Sequence, residues 1–339
     1  MRKRLLRVVI AGFMVLWGKA VFPQDPVFTQ YFQAPLNINP AFAGNTYAPV
    51  IHINTRVEWP YLDFMYNTYA LSVDRFFEEH NFGAGLFLIS DNSGNGIYKR
   101  MRMEGILSYR LKVTEGHFLK MGMSMGYGYN SLDWDRLVFA DMLTGKNGAV
   151  LPDGSRLPTK ERKPGRLSGG YLDISTGLLF YSKTFYGGIA VKHANAPENF
   201  FYKNRRDVAS PLPLRITVHG GAEFDLVPGD VYHRILYSPQ VMYAFQDGLQ
   251  QVAVHNMVDF GLVFAGIGYR YNFVNSDAIL FLAGVKKDML KIAYSFDYTV
   301  SALTISTGGT HEIGVSINFD KSVLYKAPSK YSDCFEMFR

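Results

Sequence analysis

Histidine is the side chain in this sequence that could most readily bind a metal ion or act as a general base. No two histidines have the spacing of an HExxH or HxH metal site. We therefore expect no metal and no cofactor, and we expect the histidines to be structural. The eight are His52, His80, His117, His193, His219, His233, His255 and His311.

A serine activated by a histidine is the next chemistry to consider. Ser316 follows His311 by five residues, and on one strand an odd separation directs two side chains to opposite faces. The pair therefore cannot act as nucleophile and base. The short glycine motifs 83–85 and 266–268 lack the strand-loop-helix context and the lysine of phosphate-binding loops. We expect no enzyme activity.

Charged side chains of both signs share one face of several predicted strands. They could select an ion in an open pore, or they could pair with each other across a filled interior, because buried charges need partners. We favour the filled interior. The candidate lumen charges are Arg102, Glu104 and Arg110 on one strand, Arg215, Glu223 and Asp225 on a second together with His219, and Lys291 and Asp297 on a third.

The strands that must position these charges show a strict period of two. Apolar or aromatic residues alternate with small or polar ones in 290–298, in 312–319 and in 119–129, where Leu119, Met121, Met123, Met125, Tyr127 and Tyr129 share a face. Many long strands of this kind, rich in aromatic residues, indicate an all-β, transmembrane antiparallel β-barrel of about 14 strands. The alternation is poor only in 250–271, so the register there is left open.

Loop lengths and barrel size give the expected orientation and interior. Connections between predicted strands alternate between short and long, and in outer-membrane barrels the short turns are periplasmic. Both termini are therefore expected in the periplasm. A barrel of 14 strands is narrower than the porins that enclose an aqueous channel, which also favours a filled lumen. An open channel for a small solute is the alternative.

The amino terminus has the features of a cleaved signal peptide. A basic stretch precedes an apolar segment of about ten residues, too short to span a bilayer as a helix, and small residues end it at Ala20, the expected cleavage site. Residues 1–20 hold five of the 35 Lys and Arg and no Asp or Glu, so the mature chain carries 30 − 29 = +1. This balance gives no indication of nucleic-acid binding. The single cysteine, Cys334, excludes an internal disulfide.

Two segments flank the predicted barrel at 46–320. The first, 21–45, combines four prolines with large apolar residues such as Phe28, Tyr31, Phe32, Ile38 and Phe42, so it is a poor helix and a poor interior strand. It plugs the barrel from the periplasm, binds a partner there, or lies along the barrel as a strap. The second, 321–339, is expected to be a periplasmic tail that serves as a strap or a partner contact, or is disordered.

The first mature residues carry a specific resemblance. They read QDPVFTQY at 24–31 and PLNINPAFAG at 35–44, and further matches lie at Arg56, at 68–74 (TYALSVD) and at 311–313 (HEI). This pattern resembles the PorP/SprF family of Bacteroidota outer-membrane proteins across nearly all of 24–320. The sequence departs from the family pattern at Glu58, where glutamine is more usual, and in the basic stretch 159–166.

The resemblance implies a non-enzymatic accessory component of the type IX secretion system. Such a barrel, embedded in outer-membrane lipid, would dock other secretion components, among them a periplasmic peptidoglycan-binding lipoprotein, or a secreted surface adhesin. Candidate partner contacts in the first mature segment are Phe28, Tyr31, Asn37, Asn39, Pro40 and Phe42.

Overall fold

The computed structural model describes residues 25–62, 64–143, 157–198, 211–228, 234–273, 275–300, 305–322, 324–325 and 338. Signal cleavage at Ala20 lies outside this range. Fifteen strand segments follow one another: β1 Val50–Glu58, β2 Tyr66–Phe77, β3 Phe82–Ser93, β4 Tyr98–Thr114, β5 His117–Leu132, β6 Ser168–Tyr181, β7 Phe185–Lys192, β8 Arg215–Ala222, β9 Phe224–Val227, β10 Ile235–Gln246, β11 Leu249–Asp259, β12 Val263–Asn272, β13 Asn275–Lys287, β14 Leu290–Thr299 and β15 Thr310–Asn318.

These segments form one closed antiparallel barrel. Each strand pairs with its neighbours in sequence, and the ring closes between β1 and β15, where Val50 opposes Asn318 and Glu58 opposes Thr310. Segments β8 and β9 both pair with β10 and together occupy one position in the ring. The barrel therefore has 14 strands, which confirms the predicted fold class.

The period of two in the sequence corresponds to the two faces of the wall. On β5, Met123 and its apolar neighbours two residues away are exposed on the outside, whereas Lys120 and Ser124 are buried inside. The outer surface is thus an apolar band suited to lipid, and the inner surface is polar. Among the described residues, no helix is long and apolar enough to cross a bilayer.

The two rims of the barrel differ in their connections. The strand ends joined by connections 59–65, 133–167 and 193–214 lie at one rim, here called the long-loop end, and those joined by 78–81, 115–116, 182–184 and 288–289 lie at the other, the short-turn end. Strand β1 begins and β15 ends at the short-turn end. The predicted alternation in length holds for these connections, whereas 94–97 and 247–248, also at the long-loop end, have only four and two residues.

The region of poor alternation, 250–271, forms two regular strands. Strands β11 and β12 pair without a shift from Gln251 opposite Asn272 to Asp259 opposite Phe264. Their pattern is weak because several inward residues, Ala253, Met257 and Phe264, are apolar and belong to a buried cluster in the lumen. An apolar inner surface removes the polar half of the alternation.

Residues 25–49, here called the plug, lie inside the barrel and not beside it. Two 3-10 turns, Tyr31–Gln33 and Pro40–Phe42, flank one helical turn, α1 Pro35–Ile38. Pro35 and Pro40 each occupy a first helical position, where a missing N–H is tolerated. Most of the plug from Asp25 to Thr46 is buried, so the first mature segment fills the lumen.

Met123→Lys tests the assignment of the outer face. A lysine at this exposed position on β5 would enter hydrocarbon and should destabilise the inserted barrel by about 2–4 kcal/mol. Met123→Leu is the matched apolar control and should behave as wild type. Unfolding in lipid vesicles, followed by the heat-modifiable band on gels, measures both; equal stability of the two variants would contradict the assignment.

Candidate functional site

The candidate site is the interface between the plug and the inner wall. Thr29 lies in a network of four buried charges from four strands: Arg56 on β1, Arg270 on β12, Asp297 on β14 and Glu312 on β15. The Thr29 hydroxyl donates to Asp297 at 2.8–2.9 Å, and Arg270 Nη1 reaches the same carboxylate at 2.8 Å. Arg56 Nη1 pairs with Asp297 at 3.2 Å and with Glu312.

Glu312 binds the backbone of the plug directly. Its two carboxylate oxygens accept the N–H groups of Thr29 at 2.7 Å and Gln30 at 2.9 Å. Hydrogen bonds from N–H groups to an ionised carboxylate are stronger than neutral ones. The network therefore fixes the position of the plug at Thr29 and Gln30 and also balances the charges of the wall.

Gln33 connects the plug to the two strands that close the barrel. Its carbonyl accepts a hydrogen bond of 2.8 Å from Asn54 of β1, and its side-chain oxygen accepts one from Ser316 of β15. Both wall residues are buried. The plug thus spans the β1–β15 seam.

Three wall residues bind the plug near the short-turn end. Lys120 Nζ donates to the carbonyls of Ala43 at 2.7 Å and Gly44 at 3.1 Å, and Ser108 Oγ also donates to Ala43. Asp74 accepts the Gly44 N–H at 2.7 Å. These bonds satisfy backbone groups that a buried irregular segment would otherwise leave without partners.

Asn39 bonds both the plug and the wall. Its side-chain oxygen accepts the Ala41 N–H at 2.8 Å and caps the turn Pro40–Phe42. Its amide nitrogen donates to the carbonyls of Leu178 at 2.9 Å and Ile189 at 3.3 Å on adjacent strands. An asparagine supplies both a donor and an acceptor for such a position.

Ring contacts and small residues complete the interface. Tyr31 packs edge-on against His255 at 5.2 Å between ring centroids, and Phe42 lies 5.0 Å from His219. Gly122 on β5 faces the plug so closely that a Cβ there would overlap the backbone of Ala41. The inner wall and the plug are therefore closely packed and complementary in shape.

The six candidate partner contacts all lie in the plug. Each is buried in the lumen, in contact with the wall or with other plug residues. A contact between these side chains and another protein would require the plug to leave the barrel. Their role toward a partner stays a prediction.

The candidate lumen charges divide into two groups. Arg102, Glu104, Arg215, Lys291 and Asp297 are buried inside, and Arg102 Nε pairs with Glu104 at 2.5 Å. The remaining three lie toward the short-turn end: half-buried Arg110 over the Phe76 ring at 4.1 Å, half-buried Glu223 between β8 and β9, and Asp225.

Asp225 corrects the prediction of a position inside the lumen. Its side chain is 47% exposed and pairs with Arg234, the residue before β10. Segments β8 and β9 keep one register against β10, from Arg215 opposite Gln246 to Asp225 opposite Leu236, and the pairing shifts only beyond Asp225. Asp225 thus keeps the strand parity of Arg215, but it lies at the short-turn end and is not enclosed by the barrel.

A serine-histidine pair does occur, but across two strands. His52 Nδ1 lies 2.7 Å from Ser316 Oγ, because β1 and β15 place these residues opposite each other. Both are buried, the serine also bonds Gln33, and His52 Nε2 has no hydrogen-bond partner. Within the part of the chain that the structure describes, no carboxylate orients this histidine, unlike in a catalytic triad. In a closed barrel the last strand pairs with the first, and this was the signal that could have located the pair. His311 bonds Tyr294 Oη at 2.7 Å instead.

Alternation alone did not single out the other wall residues of the site, although Arg56 and Glu312 lie where the sequence matches the family pattern. Arg56, Lys120, Arg270 and Glu312 each occupy an ordinary inward position of an alternating strand. They differ from other inward residues because the plug passes beside them. Among the described residues, no group of three or more His, Cys, Asp or Glu is placed to hold a metal ion.

The fold and this interface define an outer-membrane-type β-barrel whose lumen holds its own N-terminal segment. The family profile described as type IX secretion system membrane protein PorP/SprF matches residues 20–317. The chain belongs to the PorP/SprF family, as its opening motif predicted, and it is an integral membrane component of that system.

Solved structures with the same general architecture are distant in sequence. The toluene transporter TbuX of Ralstonia pickettii is 10% identical, with a TM-score of 0.49, and the match covers 84% of this chain and 91% of that one. The toluene transporter TodX of Pseudomonas putida is also 10% identical, with a TM-score of 0.46 over 84% and 91%. A mutant of the Rh. blastica porin is 7% identical, with a TM-score of 0.33 over 80% and 99%. No curated protein matches the chain.

Asp297→Asn tests the charge network around Thr29. The change leaves Arg56 and Arg270 with less negative charge in a buried site, and breaking such a pair should lower the free energy of unfolding by about 3–5 kcal/mol. Asp225→Asn disrupts an exposed pair and should cost at most about 1 kcal/mol. Urea unfolding in vesicles compares the two; similar small losses would exclude a structural role for the network.

Proposed function

We propose that this barrel is a closed, non-enzymatic docking component of the type IX secretion system and not a conducting pore. The observation that carries this proposal is the filled lumen, where the plug is buried and bonded to the wall along its length. Its rims, and not its interior, are then the surfaces available to other molecules. An ion or solute path would require the plug to move.

The closed state is supported by the distribution of the bonds. The plug is held at Thr29 and Gln30 by Asp297 and Glu312, at Asn39 by the backbones of β6 and β7, and at Ala43 and Gly44 by Lys120. These anchors come from opposite parts of the ring and from both halves of the lumen. Displacing the plug would break all of them and would leave buried wall charges without partners, which is costly.

Docking is proposed at both rims. The short turns carry exposed groups such as Glu115, whose side chain is 98% exposed, and they would face secretion components in the periplasm, among them a peptidoglycan-binding lipoprotein. At the long-loop end, Tyr61 is 78% exposed and Phe64 is 57% exposed in the connection between β1 and β2. Exposed aromatic residues are favoured at protein interfaces, and this rim would contact a secreted adhesin.

Conductance in planar bilayers tests whether the lumen is closed. Wild-type protein should conduct little, whereas Gly122→Val should conduct because its side chain would displace the plug at Ala41. Gly105→Val is the matched control. Gly105 faces outward on the adjacent strand, and its Cβ would meet only the Met125 carbonyl at 3.9 Å.

Insertion of each variant is confirmed first by heat-modifiable migration. A steady conductance of wild type equal to that of Gly122→Val would contradict a closed lumen. It would instead support the alternative function, a channel for a small solute.

Site-specific photocrosslinking in native outer membranes tests docking. A photoreactive residue at position 115 should form adducts with periplasmic secretion components, because that side chain projects from the short-turn end. The same residue at position 123, in the lipid-facing band, should not. Adducts that are absent at 115, at 61 and at 64 would argue against docking at either rim.

A further inference from the structure

The plug crosses the lumen once, in a defined direction. Asp25 lies beside residues of the long-loop end: Arg215 is the first residue of β8, Gln246 is the last of β10, and His193 directly follows β7. Thr46 and Ala48 lie at the short-turn end, where the Thr46 carbonyl accepts the N–H of Phe76 near the end of β2. The chain therefore enters at the long-loop end and leaves at the short-turn end.

A cluster of basic side chains surrounds Asp25 at this entrance. The carboxylate lies 2.8 Å from His193 Nε2, 3.5 Å from Arg102 Nη1, 3.8 Å from Arg100 Nη1 and 4.0 Å from Arg215 Nη1. The backbone of Asp25 is bound as well. Its N–H donates to Gln246 Oε1 at 3.0 Å, and its carbonyl accepts from Arg215 at 3.4 Å.

The wall around Asp25 has an excess of positive charge without it. The ion pairs around Asp25 include four positive charges, from Arg100, Arg102, Arg215 and protonated His193, and three negative charges, from Asp91, Glu104 and Asp173, so this part of the wall carries 4 − 3 = +1 without Asp25. Asp25 restores neutrality. A buried carboxylate that completes the charge balance of its surroundings is strongly preferred over an uncharged side chain.

The ionisation of Asp25 agrees with this environment. Burial alone would raise its pKa, but His193, Arg102 and Arg215 outweigh burial and hold the pKa of this carboxyl well below its usual range. Burial also acts to lower the pKa of His193, yet Asp25 and Asp173 reverse that effect and raise it. Asp25 and His193 thus form an ion pair.

We propose that Arg100, Arg102, Arg215 and His193 form a carboxylate-binding site in the wall whose ligand is Asp25, and that this site fixes the mature N-terminus at the cell surface. Long loops are extracellular in barrels of this kind, so an entrance at the long-loop end places Asp25 at the extracellular opening of the lumen. The mature N-terminus is then a surface element that a secreted protein can contact. This inference does not depend on the docking function.

The C-terminal end of the barrel lies on the opposite side. The backbone of Phe319 bonds Pro49, and the Asp320 carbonyl accepts from Tyr47 Oη at 2.6 Å, both at the short-turn end. The expectation that both termini are periplasmic therefore holds, in this proposal, only for the C-terminus. The plug is threaded from the cell surface toward the periplasm.

Cysteine labelling on intact cells tests the proposed position of the N-terminus. In a Cys334→Ser background, Gln24→Cys should react with a large, membrane-impermeant maleimide as fully on intact cells as after permeabilisation. Ser322→Cys should react only after permeabilisation. Labelling of both variants in denaturant gives the total amount of reactive cysteine.

Labelling of Gln24→Cys only after permeabilisation would overturn the proposal. If Ser322→Cys then reacted on intact cells, the orientation of the barrel would be the error. If both variants required permeabilisation, the threading of the plug would be the error. Neither result would bear on partner docking, which the crosslinking experiment measures separately.

A spin label on Gln24→Cys tests the carboxylate site itself. Asp25→Asn removes the charge that the wall binds, so the label should become more mobile in detergent-purified protein. Asp141→Asn, at an exposed carboxylate in the connection between β5 and β6, is the matched control and should leave the spectrum unchanged. An unchanged spectrum for Asp25→Asn would overturn the role assigned to the site.

Discussion

The carboxylates of Asp297 and Glu312 bind Thr29 and Gln30 inside the barrel, and the rest of the structure depends on this contact between wall and plug. A narrow lumen excludes most water, so each inward charge needs a partner within the protein. Arg56 and Arg270 supply partners from the wall, and the plug supplies the remaining hydrogen-bond donors. The polar groups of the inner wall and the backbone groups of the irregular plug thus serve as hydrogen-bond partners for each other.

The same requirement explains the composition of the inner wall. Lysine, serine and aspartate occur where the plug exposes backbone groups, as at Ala43 and Gly44. Apolar residues occur where it presents aromatic rings: Phe264 lies 6.3 Å from Phe32 between ring centroids. Glycine occurs where its backbone approaches most closely, as at Gly122. The residue types of the inner wall therefore match the groups that the plug presents to them, although the plug is far away in the sequence.

The sequence was sufficient to predict the barrel, because alternation is a local property. Met123 and Lys120 show their faces within a few residues of chain. The site required more, since Asp25, Thr29 and Gln33 find partners up to 283 residues away. The error at Asp225 arose because strand parity does not show where the lumen ends: the residue keeps the register of Arg215 but lies at the short-turn end. The weak alternation of β11 and β12 was itself a sign of an apolar occupant in the lumen, since Ala253 and Met257 face inward.

The position of Gln33 across the β1–β15 seam bears on how the barrel assembles. The last strand must find the first across nearly the whole chain, and such long-range pairing is slow. In the folded barrel, Gln33 bonds the Asn54 side chain of β1 and the Ser316 hydroxyl of β15, so one plug residue holds both sides of the seam. A plug that binds β1 first would offer the last strand a hydrogen-bond partner beside the edge it must find. We therefore expect closure of the ring and immobilisation of the plug to be coupled during assembly.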